Sequence, residues 1–491
     1  MRLLPAFALV LARLVSDGIA DPDLFARIAL GRLIIRDGAV PLQDPFAFTP
    51  TKAVWYDHEW LSGLIFYGIS RLGGDVALLL FDVLIAWATI RILHAAQRAF
   101  SVPPTHAAVW VFFCIAPMLV GWLSIVRCRA FTFLLTTVFV LACLRYRATG
   151  RTIWMTALPL LMAAWVNLHG GFVVGLGCLL LLAVSLLIDR SRPARPVVLC
   201  LLACLSMSLV NPYGPAYLRF VAEALTKDRR TISEWLPLDL VSTQGLVVLA
   251  TVAALGFGLL RARRAVPLEG QLLLLLALGF GLRYQRLITL FYLLAAVYGL
   301  PWISVFAQAL REALPRRFRA LRRGVALTLV GVLGWGGVSA AQVAWQGRHF
   351  SLHYVYSPVL AMEWLRLHRT GGKLLVHFDQ GSYALWRGYP QFTVSLDGRY
   401  EAVYPEATAD LVDRVFRVTN PNRHRDVAQL APDYILLCAV SSPGVDNRAF
   451  GPMWTLIYQD PACRLLGHEP NADGRIGTPP EGWPDIWTPR F

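Results

Sequence analysis

What most constrains this chain is a succession of apolar runs that are long enough, or nearly so, to cross a bilayer. They fall at about 3–19, 75–97, 105–123, 129–146, 152–166, 170–188, 196–210, 242–260, 266–282, 286–308 and 323–345. A helix needs roughly 20 apolar residues to span the hydrocarbon layer. The runs therefore predict a mainly α, polytopic membrane protein of about 11 helices. Of the 491 residues, 56% are hydrophobic and 16% charged, so a soluble fold could not cover its own core. The first run carries one arginine ahead of it and no small-residue cleavage site, and reads as a membrane helix rather than a removed signal.

Lysine and arginine outnumber aspartate and glutamate by 46 to 31. The arginines come in short bursts between apolar runs, which argues against nucleic acid and for membrane topology. Bursts at Arg145, Arg147 and Arg151, at Arg190, Arg192 and Arg195, at Arg261, Arg263 and Arg264, and from Arg311 to Arg323 all fall on one side when the runs are counted. The positive-inside rule makes that side, and the N-terminus, cytoplasmic. Loop 20–74, loop 211–241, the turns near 124–129, 167–170 and 283–286, and everything after about 346 are then extracytoplasmic. Segment 59–71 is apolar over only half a span and reads as an interfacial helix.

The chain is expected to divide into 1–346, a membrane domain that includes loop 20–74, and 351–491, a small extracytoplasmic α/β domain. In the second part strands are expected at 373–378, 392–396 and 434–438 and helices at 358–368 and 406–418. No CxxC pair or metal spacing occurs. Six cysteines lie in or beside apolar runs as small buried hydrophobes. Cys438 and Cys463 lie in the tail, where a disulfide and two free thiols are both open readings.

The polar residues assigned to the outer side form one group: Asp21, Asp23, His58, Glu59, Arg127, Arg129, Asn167, His169, Asn211, Tyr213, Glu234, Arg283 and Arg286. Arginine gives fixed-charge, two-pronged contacts to phosphate oxygens, and a carboxylate accepts a proton from an attacking hydroxyl. Each residue also has a plainer reading. Asp21-Pro-Asp23 and Asp57-His-Glu59 are helix caps, the arginines snorkel to the interface, and Asn167-Leu-His169-Gly-Gly171 is a tight turn. Trp55, Trp60 and Trp235 read as an interfacial aromatic belt. Two aspartates flanking a proline make a poor metal site by themselves, so no metal ligand is assigned; a divalent metal is compatible with the sequence but not required.

Asp21-Pro-Asp23, Gly31-Arg32, Val40-Pro41, Asp44-Pro45-Phe46 and His58-Glu59-Trp60-Leu61 appear in an order that resembles bacterial polytopic proteins of the GT-C glycosyltransferase superfamily. Asn167-Leu-His169-Gly-Gly171-Phe172, Asn211-Pro-Tyr213-Gly214, Glu234-Trp235, Gly381-Ser-Tyr383 and Asp397-Gly-Arg399 extend the likeness over most of the chain. Where members of the group often carry a proline this chain has Cys128, and an expected arginine-asparagine pair reads Arg283-Tyr-Gln-Arg286. Enzymes of the superfamily, such as protein O-mannosyltransferases and aminoarabinose transferases, take a sugar from a polyprenyl-phosphate carrier.

The resemblance implies a bacterial inner-membrane enzyme that transfers a sugar, by inversion, to an extracytoplasmic glycan, lipid or protein. It implies Asp21 as base and Asp23 as the residue positioning the acceptor or a metal. From charge placement, Arg127, Arg129, Arg283 and Arg286 are assigned to the donor phosphate, and His58, Glu59, Asn167 and His169 to the acceptor side. The same arginines would serve a transporter or flippase for lipid-linked glycans, which needs no base. A non-catalytic envelope assembly factor is the third reading.

Overall fold

The computed structural model describes residues 21–103, 106–107, 109–111, 113–115, 126–226, 233–313, 352–353, 357–468, 474–479 and 486–487. In chain order the helices of the first two thirds are α1 (Pro22–Asp37), α2 (Trp60–Gln97), α3 (Arg129–Thr149), α4 (Leu158–Leu168), α5 (Val173–Asp189), α6 (Arg195–Met207), α7 (Ala216–Thr226), α8 (Thr243–Ala262), α9 (Leu268–Arg283), α10 (Ile288–Tyr298) and α11 (Leu300–Ala313). The remainder alternates: β1 (Leu352–His353), α12 (Val359–His368), β2 (Gly372–Leu375), α13 (Phe378–Gly388), β3 (Phe392–Val394), α14 (Glu406–Phe416), α15 (Arg423–Leu430), β4 (Tyr434–Cys438), β5 (Thr455–Gln459), β6 (Cys463–Gly467) and β7 (Ile486–Trp487).

Among the described residues four helices are long and apolar enough to cross a membrane: Trp60–Gln97, Arg129–Thr149, Gly170–Asp189 and Thr243–Ala265. The pair Gln285–Tyr298 and Leu300–Ala313, bent by 72° at Gly299, makes a fifth if it is one span. Helices also occupy the runs at 152–166, 196–210 and 266–282. The expected runs at 3–19 and 323–345, and most of 105–123, lie outside the described residues.

The chain forms two compact units, one of residues 1–17 and 79–348 and the other of residues 18–78 and 349–491. Loop 20–74, expected to belong with the membrane domain, thus folds with the C-terminal segment. The physical reason is main-chain pairing. Residues 46–48 lie along the edge of β3: Phe48 N–H donates to the Val394 carbonyl at 3.1 Å, and Val394 N–H donates to the Phe46 carbonyl at 2.9 Å. The Thr49 hydroxyl reaches Ser395 O at 2.7 Å. The boundary between the units falls within α2, a few residues after Gly73 and Gly74 break its helical geometry.

In the second unit a five-stranded mixed sheet has the order β3-β2-β4-β6-β5. Strand β2 is parallel to β3 and β4, and β4, β6 and β5 are antiparallel neighbours. Helix α1 packs on α13 through Phe25, whose ring meets Tyr383 and Trp386 at 5.1 Å each. It crosses the start of α2 at Gly31, where a Cβ would stand 2.3 Å from the Gly63 carbonyl. No residue with a side chain fits that crossing.

A buried charge network ties the loop to the sheet. Arg399 grips Asp397 (2.7 and 2.6 Å) and pairs with Asp44, Tyr404 donates to Asp397, and all of these ionic side chains are at most 1% exposed. The Arg399 guanidinium also lies 4.7 Å above the ring of Trp55 and 4.9 Å above Phe46. Trp55 is 1% exposed, so the aromatic-belt expectation fails for it: it is the floor of an ion-pair pocket. Asp397-Gly-Arg399 is a turn and ion pair in this fold.

Cys438 and Cys463 are directly opposite each other on β4 and β6 and form a disulfide, which resolves the open reading. The link closes a loop with a sequence separation of 25. By loop-closure entropy, changing both residues to Ser should lower the stability of this unit by about 3 kcal/mol. Thermal unfolding of the double variant beside wild type, with and without reductant, checks this. A variant whose midpoint matches oxidised wild type would refute it.

Candidate functional site

The acidic motif is built by helix-cap chemistry. Asp21 is the N-cap of α1, in extended backbone conformation, and its carboxylate accepts the Asp23 N–H at 2.9 Å. Pro22 follows at the first helical position, where its missing N–H costs nothing. At the other end Gly38, at φ +69°, returns its N–H to Ile34 O. Asp21 is 1% exposed. Asp23 is half-buried, and its carboxylate rests so close to Gly398 that a Cβ there would stand 2.2 Å from Oδ1. The Gly398 N–H in turn donates to the Ser382 hydroxyl at 3.1 Å. Gly398 and Ser382 are thus neighbours of Asp23 that sequence reading did not single out. Their only signal was membership in Gly381-Ser-Tyr383 and Asp397-Gly-Arg399, 358 or more positions away in the chain.

His58 and Glu59 sit beside a second clamp. Arg27, on α1, makes two contacts to the buried Asp57 carboxylate (2.8 and 2.7 Å) and one to Glu59 (2.9 Å). Asp57 also accepts the Glu59 N–H at 2.8 Å, capping the entry to α2. The His58 ring stands 3.7 Å from Glu59. The cap reading of this motif therefore holds, with Arg27 as an added partner.

In the other unit the arginines converge. Arg127 lies just before α3 and Arg129 begins it. Both face Glu234, at 3.1 and 3.8 Å, and Arg286 approaches the second oxygen of the same carboxylate at 3.8 Å. The segment that carries Glu234 is pinned to the α9–α10 turn by Leu238 N–H to Leu282 O and Gln285 N–H to Leu236 O, both 3.0 Å. Trp235 stands under the Arg286 guanidinium at 4.7 Å. Burial raises the Glu234 carboxyl, but the fields of Arg127, Arg129 and Arg286 outweigh it and hold it below its ordinary range. The cluster is three cations around one anion, a net positive site. Arg283 does not join it; it is exposed and stacks on Tyr284 at 5.2 Å.

His169 and Asn167 have different surroundings. The His169 Nδ1 accepts from Gly171 N–H at 2.9 Å and meets the Thr132 hydroxyl at 2.9 Å, while that hydroxyl accepts from the Trp165 indole at 2.9 Å. Thr132 must then donate to the ring, which places the His169 proton on Nε2. Gly171 is required here, because a Cβ would stand 2.4 Å from the Thr132 hydroxyl. The Asn167 amide donates to Ala163 O at 2.7 Å and Val210 O at 2.8 Å. It staples the end of α4 to the segment after α6, a structural role.

No group of three or more metal-ligating side chains occurs among the described residues. Glu234 is the site residue that sequence reading grouped with the arginines without giving it a role. Its signal was an acid, next to a tryptophan, on a side otherwise furnished with arginines.

The chain, with an apolar helical unit that carries an arginine cluster at its helix ends and a second unit of an acidic first loop and a small α/β sheet, has the GT-C fold of membrane glycosyltransferases. Three solved structures carry that statement. The Archaeoglobus fulgidus oligosaccharyltransferase in its apo form superposes with a TM-score of 0.58 at 12% identity, over 88% of this chain and 69% of that one. ArnT from Cupriavidus metallidurans bound to undecaprenyl phosphate gives 0.55 at 14% identity, over 95% of this chain and 97% of ArnT. The mycobacterial arabinofuranosyltransferase AftD gives 0.51 at 18% identity, over 95% of this chain but only 41% of AftD. No protein-family model and no curated protein sequence matches the chain.

Proposed function

We propose that this protein is a membrane glycosyltransferase that moves a sugar from a polyprenyl-phosphate donor to an extracytoplasmic acceptor. The observation that carries the proposal is the cluster of Arg127, Arg129 and Arg286 around the single carboxylate of Glu234. A leaving phosphate develops charge as the glycosidic bond breaks, and preorganised guanidiniums stabilise that charge. Glu234 holds the guanidiniums in place until phosphate arrives. The likeness to ArnT, whose solved structure contains undecaprenyl phosphate, supports the donor class.

In this reading Asp21 takes the proton from the acceptor hydroxyl, which then attacks the anomeric carbon. The glycosidic C–O bond breaks, and the bonding pair leaves with the polyprenyl phosphate. Asp23, held against Gly398 and Ser382, positions the acceptor. His169, with its proton on Nε2, offers a donor to a sugar hydroxyl. The side on which the arginine bursts fall supports a cytoplasmic N-terminus and an α/β unit outside a bacterial inner membrane. The Cys438–Cys463 disulfide supports an oxidising compartment for that unit.

The test is binding of undecaprenyl phosphate to purified protein in detergent. Arg127→Gln and Arg286→Gln should each weaken it by about tenfold or more, since a charge-assisted phosphate contact contributes about 1.5–3 kcal/mol. Glu234→Gln removes the competing carboxylate and should bind at least as tightly as wild type. Equal affinity in wild type and both arginine variants would remove the cluster from the donor site.

A further inference from the structure

The second unit carries another concentration of positive charge, which the proposed reaction does not use. Arg32 on α1 donates to the carbonyls of Trp386 and Tyr389, at 3.3 and 3.2 Å, where α13 ends. Arg387 on α13 and Arg366 on α12 share one carboxylate, Glu363; the Arg387 Nε lies 2.7 Å from it and the Arg366 contact is 3.3 Å. Arg36, one turn beyond Arg32, stands 5.9 Å over the Tyr389 ring and pairs with its exposed neighbour Asp37. Burial first, then repulsion from Arg387, Arg36 and Arg366, outweighs the opposing effect of Tyr67 and pulls the Arg32 guanidinium below its ordinary range.

A helix C-terminus accounts for Arg32 by itself, since cations favour terminal carbonyls. It does not account for the rest. Three more guanidiniums gather where, among the described residues, Glu363 is the part-buried acid that Arg366 and Arg387 meet. Beside them lies the Tyr383 hydroxyl, 2% exposed as a residue, with no hydrogen-bond partner among the described residues. It is within electrostatic reach of Arg387, Glu363 and Arg366. A buried hydroxyl without a partner is destabilising unless something arrives to accept its proton.

We propose that Arg32, Arg36, Arg366 and Arg387, with the Tyr383 hydroxyl, form a second anion site for a phosphate group, distinct from the cluster around Glu234. Guanidinium forks suit phosphate oxygens, and a tyrosine hydroxyl supplies a further donor. A lipid headgroup and a soluble phosphate share this chemistry. The site stands whether or not the protein transfers a sugar.

The test uses the full chain in detergent, carrying Arg127→Gln and Arg286→Gln so that the other cluster is disabled. Titration calorimetry with inorganic pyrophosphate and with dioctanoyl phosphatidic acid is expected to show saturable binding of at least one probe. Binding of pyrophosphate assigns a soluble phosphate, and binding of the lipid alone assigns a headgroup. Adding Arg36→Gln and Arg366→Gln should weaken binding at least tenfold; both side chains are partly exposed and their ion pairs are weak. Tyr383→Phe should weaken binding severalfold while leaving the anion-free melting temperature equal or higher. Absence of saturable binding, or affinity unchanged in both sets of variants, overturns the proposal.

Discussion

Asp21→Asn is expected to keep the fold and lose sugar transfer by about 10²- to 10⁴-fold, the usual contribution of a positioned general base. The substitution is unusually clean because of what Asp21 does structurally. Its carboxylate caps α1 by accepting the Asp23 N–H, and asparagine caps a helix about as well as aspartate. The unfolding free energy should therefore stay within about 0.5 kcal/mol of wild type. Asp21→Ala removes base and cap together and should lose about 1 kcal/mol of stability as well as turnover. Asp23→Asn leaves the cap intact, because Asp23 contributes only its backbone N–H there. It should raise KM for the acceptor more than it lowers kcat. If Asp21→Asn transfers sugar at the wild-type rate, Asp21 is only a cap and the base must be sought elsewhere.

Arg399→Met should destabilise the second unit by about 3–5 kcal/mol, because it leaves two buried carboxylates without their shared cation. Asp397 and Asp44 are both inaccessible, and the Arg399 guanidinium also covers Trp55 and Phe46. In wild type, burial raises Asp397, but Arg399 and the Tyr404 hydroxyl more than reverse this and hold it below its ordinary range. Its ion pair thus contributes fully above the unfolded carboxylate value of about 3.9, and is lost as pH falls through the lower folded value. In Arg399→Met the sign reverses. A buried carboxylate without a cation favours its protonated form, so the variant loses stability as pH rises through about 4. The gap between variant and wild type should therefore narrow from pH 7 toward pH 4, as read by thermal unfolding across that range. A gap that is constant with pH would mean that lost packing, not unpaired charge, dominates.

How much of this was legible in the sequence depends on how local each cause is. The start of helix α1 could be read from the cap at Asp21-Pro22, because caps act within one turn. Strands at 434–438 and 392–396, and helices at 358–368 and 406–418, followed from apolar spacing and correspond to β4, β3, α12 and α14. Helix α13 was not anticipated, because Phe378-Asp-Gln-Gly381 starts with poor helix formers; its hold is tertiary, on Phe25 of α1. Nor was the docking of residues 46–48 on β3, which pairs segments 346 positions apart through main-chain groups that carry no side-chain signature. Trp55 was misread for a related reason: a tryptophan near polar residues looks interfacial until its cation, Arg399, is found far along the chain.

Among the candidate site residues, local reading selected Asp21 and the arginines but could not say which arginines meet. Arg127, Arg129 and Arg286 converge because the Glu234 segment is stitched to the α9–α10 turn, whereas Arg283, three residues from Arg286, points elsewhere. Asn167 was assigned to the acceptor side along with His169, yet its amide is engaged by carbonyls on both sides.

The most direct measurement of the central claim is turnover. Purified protein would be given a panel of sugars linked to undecaprenyl phosphate, with extracted envelope lipids and glycans as acceptors, and release of free undecaprenyl phosphate followed by mass spectrometry. The account predicts acceptor-dependent release that collapses in Asp21→Asn and in Arg127→Gln/Arg286→Gln. Saturable donor binding with no release from any sugar, and equal binding by Asp21→Asn, would contradict it and leave a carrier of lipid-linked glycans in its place.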